Sequence, residues 1–125
     1  MIDNTYNKGF GYEKAVIIYC NTPNGKKGFE LWEGYFDNIL RGCYNSKIVK
    51  GGLLYGYMTQ TEWCDESPWK IEDTSTALTE ISMFSEKAIP EMATVIEKLK
   101  EIQLKLINLM QCALQSRLDI FIEYD

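Results

Sequence analysis

The chain has 125 residues, 18 acidic against 13 basic side chains, a net charge of -5 and no histidine. That length suits one domain, residues 1–125, with a core that removes roughly two-thirds of the unfolded surface from water. The acidic balance argues against nucleic acid or an anionic membrane as partner, since both reward clustered Lys and Arg. No apolar run approaches the ~20 residues that span a bilayer, and MIDNTYNKGFGYEK holds no apolar signal core, so a cytoplasmic location is expected.

Residues 1–13 are polar around Phe10 and read as loosely ordered. AVIIYC, Ala15 to Cys20, is a continuous apolar, β-branched run suited to a central strand. NTPNGKKG, Asn21 to Gly28, reads as a turn or loop, and it lacks the GxxxxGK[ST] spacing of a phosphate-binding loop. In GFELWEGYFDNILRG, Trp32, Tyr35, Phe36, Ile39 and Leu40 follow helical spacing, which favours a helix ending at Gly42. Phe29, Leu31 and Glu33 also fit a strand with a bend at Gly34.

From Leu53 onward the chain alternates as a strand. Leu53, Tyr55, Tyr57, Thr59, Thr61 and Trp63 share one face, after a turn or bulge at Gly51-Gly52. Asp73 is placed to N-cap a helix reaching about Lys87, with Ala77, Leu78, Ile81 and Phe84 inward. Pro90 and Glu91 suit the start of a second helix, reaching about Arg117. Met92, Leu99, Leu106 and Ala113 recur every seven residues with Val95, Ile102 and Leu109 between them, either a core stripe or a short coiled-coil dimer seam. Leu104, Ile107, Met110 and Leu114 widen the stripe, so that end should be more enclosed. LDIFIEYD closes the chain as a half-buried strand. The sum is an α+β fold with three to five strands in a mixed or antiparallel sheet and the long helix packed on one face.

Chemistry is sparse. Cys20, Cys43, Cys64 and Cys112 form no CxxC pair, and without histidine neither a zinc site nor a triad is expected, nor any cofactor. Glu30, Glu33 and Asp37 lie near helical spacing but match no calcium loop and read as exposed charges. Cys64 sits among acids, which work against a reactive thiolate. The chain is therefore not expected to be an enzyme.

The acids, by contrast, are concentrated. Glu62 to Glu86 holds seven acids and one base, Lys70, and the last seven residues add three more acids. Within this span Trp63 and Trp69 stand among Glu62, Asp65, Glu66, Glu72 and Asp73. Rigid rings bury much area at small entropic cost, and surrounding carboxylates pair with Arg or Lys, so the segment reads as a surface for a basic protein. Tyr55 and Tyr57 extend that expected patch.

In its short acidic α+β build, its WCDESPW at 63 to 69, its lack of histidine and its closing DIFIEYD, the chain resembles the small immunity proteins of contact-dependent growth inhibition and related polymorphic-toxin systems. The resemblance implies a stoichiometric inhibitor that binds a cognate toxin's catalytic domain, often a nuclease, and it carries over no residue roles; a monomer or weak homodimer is expected. Two other readings stand beside it. One is a phage- or plasmid-borne inhibitor of a host nucleic-acid enzyme. The other is a small enzyme or ligand carrier with an aromatic pocket lined by Tyr55, Tyr57 and Trp32.

Overall fold

The computed structural model describes residues 2–6, 14–43, 50–55, 68–85 and 93–124. In chain order these form β1 (Ile2–Tyr6), β2 (Ala15–Thr22), β3 (Gly25–Trp32), α1 (Glu33–Cys43), a helical stretch at 53–55, β4 (Trp69–Lys70), α2 (Thr74–Ser82), α3 (Ala93–Ser116) and β5 (Ile120–Tyr124). The five strands make one mixed sheet in the order β1-β3-β2-β5-β4, in which β1 and β3 run parallel and the other described pairs antiparallel. The fold is α+β, with the long helix on one face of the sheet.

The apolar run of β2 takes the centre of that sheet because both of its edges find antiparallel partners. Cross-strand partners share a face. Val16 and Ile18 stand opposite Leu31 and Phe29 on β3, while Ile18 and Cys20 stand opposite Ile122 and Ile120 on β5. All seven are buried in one cluster with the helices. From α3 this cluster takes Leu99, Ile102, Leu106, Leu109, Met110 and Ala113, and from α1 it takes Phe36, Ile39, Leu40 and Cys43. From Leu99 onward the sevenfold recurrence is thus the helix's inward stripe, and Leu99, Ile102, Leu106 and Ala113 have no exposed surface left for a coiled-coil partner. Pro90, Glu91 and Met92 lie outside the described residues.

Several sequence expectations are corrected. Residues 2–6 are not loose: they pair with β3, Tyr6 joins the core, and Asp3 meets Lys105 of α3 at 2.6 Å. Their polar composition reflects an edge strand with one packed face. The Asn21–Gly28 loop shrinks to a turn at 23–24, where Thr22 Oγ1 donates to Gly25 O at 2.7 Å and accepts from Asn24 N at 3.2 Å. GFELWEGYFDNILRG holds both expected elements in succession, strand to Trp32 and helix from Glu33, joined where Glu33 N–H donates to Lys14 O at 3.0 Å.

Residues 53–55 are helical rather than extended. Leu53 and Leu54 are both 1% exposed, which a strand with a single packed face does not provide for consecutive residues. Asp73 does cap α2, accepting from Ser75 N at 3.1 Å and Thr76 N at 3.3 Å. That helix stops at Ser82, short of Lys87, because Ser85 N–H turns away to Gly42 O of α1 at 2.8 Å. On α3 the widened stripe is not enclosed: Leu104 is 62% and Leu114 41% exposed, while Met110 is sealed. Ile102, Leu106 and Ala113 face the core, and Leu104 stands on the opposite side of the helix, toward water.

Gly28 records how closely β2 and β3 approach. A Cβ there would run into the backbone of Ile18 and Tyr19, so a larger residue requires the two strands to part.

Two leucines of α3 give a direct test of this layout. Leu106→Ala should lower stability by about 2–5 kcal/mol, the range for emptying a sealed site. Leu104→Ala should stay within about 0.5 kcal/mol. Urea unfolding followed by circular dichroism measures both; equal losses would contradict the assigned helix face.

Candidate protein-docking surface

Among the described residues, all three helices pack on the same side of the sheet, and the alternate side chains of the strands form its other face. On that face Ile17 of β2 stands between Glu30 of β3 and Glu123 of β5, each directly opposite it. Two interstrand spacings put the two carboxylate-bearing positions about 10 Å apart. Ile17, Glu30 and Glu123 are half-buried.

One step along the strands, Tyr19 and Phe121 stack with ring centroids 5.6 Å apart and an interplanar angle of 21°. The Lys26 ammonium lies 4.5 Å from the Tyr19 ring centroid. In the other direction Trp32 meets Tyr35 edge-on at 5.3 Å. The face therefore alternates a row of rings, a row of carboxylates and a further ring. Lys70 faces it opposite Phe121, and exposed Glu72 and Asp119 flank β4 and β5. Tyr19 is 4% exposed, so the rigid contact area on this face comes from the half-buried Phe121, Trp32 and Tyr35, and carboxylates beside them pair with guanidinium or ammonium groups.

The residues singled out from sequence are distributed otherwise. Trp69 is 6% exposed: β4 pairs it with Ile122, whose side chain points into the core, so its ring packs inside instead of meeting a partner. Glu72 is exposed, as a docking role needs. Asp73 is exposed too, but its carboxylate is engaged in the α2 cap and also accepts from Thr76 Oγ1 at 3.0 Å. Tyr55 is half-buried in the helical stretch. Tyr57, Glu62, Trp63, Asp65 and Glu66 lie outside the described residues. Glu30 is not on a helix with Glu33 and Asp37; it sits on β3 while they sit on α1.

Glu80 was invisible to sequence reasoning, since it reads as an ordinary exposed charge on α2. It is 7% exposed, and its Oε1 accepts from Leu53 N–H at 2.6 Å and Leu54 N–H at 3.4 Å. A Cβ on Gly52 would collide with the same carboxylate, so the glycine makes room for it. Burial raises the Glu80 carboxyl above its ordinary value, and the two backbone N–H groups pull it part of the way back. Nearby Cys43 is pushed up to about 12, first by burial and then by the Glu80 charge, so it remains an inert thiol. Among the described residues no group of three or more Cys, Asp or Glu side chains is placed to hold a metal ion, and no helix is long and apolar enough to cross a membrane.

Comparison of the chain with models of known protein families, with curated proteins and with solved structures finds no match in any of the three.

The Glu80 arrangement has a pH signature. Its carboxyl binds a proton more tightly when folded than when unfolded, so its contribution to stability is greatest at low pH and is lost as pH rises from the ordinary carboxylate value of 4.5 through the raised folded value. Glu80→Gln keeps an acceptor for Leu53 and should flatten that part of the profile. Urea unfolding across a pH series measures it; an unchanged slope in the variant would show that Glu80 is not responsible.

Proposed function

We propose that this chain is a stoichiometric protein inhibitor of the immunity type, which binds and neutralises the catalytic domain of a cognate antibacterial toxin, a basic nuclease, without turning anything over. The observation that carries the reading is the sheet face on which Glu30 and Glu123 flank Ile17 between aromatic side chains. A nuclease is cationic where it holds phosphate, so an acidic inhibitor competes for that surface and is steered to it by a net charge of -5. The acidic tryptophan segment, with Glu62, Trp63, Asp65, Glu66 and Glu72, belongs to the same negative field in sequence. Trp69 contributes through the core beneath β4.

Interface rings and long-range charge act on different rates. The aromatic rows hold the complex, chiefly through its dissociation rate, and the carboxylates speed encounter.

Capture of a tagged copy from its native host, followed by mass spectrometry, should retain a basic protein in 1:1 ratio whose nuclease activity the purified chain abolishes. With that domain as analyte, Glu30→Lys combined with Glu123→Lys should slow association by about tenfold or more at low salt. Surface plasmon resonance across a salt series reads this directly. An unchanged association rate would remove the sheet face as the docking surface; retention of a small-molecule substrate that the chain converts would remove the inhibitor reading itself.

A further inference from the structure

On the opposite side of the sheet, between β3 and the second half of α3, lies a cleft of about 190 Å³. Phe29 and Leu109, 4% and 6% exposed, form its apolar floor. Lys27, Lys105 and Asn108 supply polar groups, and the exposed thiol of Cys112 stands at its edge.

Lys27 shares the helix-facing side of β3 with Phe29 and Leu31, opposite Cys20, but lies in the exposed part of the strand beside the β2–β3 turn, so its charge stays hydrated at the mouth of the cleft. Among the described residues no carboxylate lines the cleft, although the chain carries an excess of acids. Lys105 is already paired with Asp3 at 2.6 Å, so Lys27 is the cation that faces the cleft with its charge least answered. An apolar floor with one cation and one amide at the rim matches a molecule with a flat apolar body and a single carboxylate.

We propose that this cleft binds a small carboxylate-bearing molecule with an apolar body, its carboxylate toward Lys27 and Asn108 and its body on Phe29 and Leu109. The volume holds about six waters at ~30 Å³ each, enough for a molecule of the size of benzoate. This site is separate from the sheet face and does not depend on the inhibitor reading.

The test uses benzoate and its neutral counterpart benzamide, titrated into ¹⁵N-labelled protein and followed by NMR. Benzoate should give saturable shifts at Gly28, Phe29, Asn108, Leu109 and Cys112, and should slow alkylation of Cys112. Benzamide should bind about fivefold more weakly, the worth of one exposed ion pair. Lys27→Met should weaken benzoate about fivefold while leaving benzamide unchanged. Asn108→Asp, which adds a carboxylate to the wall, should do the same without touching the sheet. Shifts that fail to saturate, or benzoate affinity that neither variant alters, would overturn the proposal.

Discussion

The structure depends on burying one face of β2. Val16, Ile18 and Cys20 must leave water, and no single neighbour covers them: β3 and β5 extend the apolar strip sideways, and α3 closes it from above. Leu99, Ile102, Leu106 and Ala113 are the matching stripe, and each fully buried side chain of the Leu or Ile size contributes about 1.5–3 kcal/mol. The order β1-β3-β2-β5-β4 follows from this requirement, because the last strand of the chain must return to the centre to cover the second edge of β2. It brings Glu123 into line with Glu30, from the other end of the sequence, and their juxtaposition makes the proposed docking face.

Glu80 solves a local problem that apolar packing cannot. The helical stretch at 53–55 begins inside the protein, where its N–H groups have no water to bond. The buried carboxylate answers two of them. Asp73 N–H donates to Gly51 O at 2.8 Å, and Ser85 N–H to Gly42 O at 2.8 Å, so the same region is laced by backbone bonds between segments distant in sequence. The desolvation of one charge is the cost, visible in the raised carboxyl of Glu80 and the raised thiol of Cys43. Breaking one partner of such an arrangement costs more than the net worth of the bond, because the other is left buried and unpaired.

The two faces of the sheet differ in cover, and each carries charge of both signs: Lys26 and Lys70 share the outer face with Glu30 and Glu123, while Asp3 and Lys105 pair on the helix side. Glu30 and Glu123 point away from the helices, while Lys27 points toward them and lines the cleft beneath α3. Alternation along β3 is what separates them, since Lys27 and Glu30 are an odd number of residues apart. A basic macromolecule and a small carboxylate would thus meet opposite sides of the molecule, with the strands between them.

Periodicity sufficed for the central strand, the cap at Asp73, the inward stripe of α3, the closing strand and the α+β class, because each is dictated locally by side-chain spacing and by the hydrogen-bonding needs of a helix end. It also drew attention to acidic residues beside aromatic ones, of which Glu72 stands exposed. Whether a given ring or carboxylate is inside or outside was decided by pairing register and by what another part of the chain supplies. Trp69 is inward because Ile122 opposite it faces the core, Glu80 is inward because Leu53 and Leu54 need acceptors, and Leu104 is outward because the stripe of Leu99, Ile102, Leu106 and Ala113 turns the other side of α3 to the core. Spacing along a chain says which residues share a face; only the assembled sheet and helices determine which face meets water.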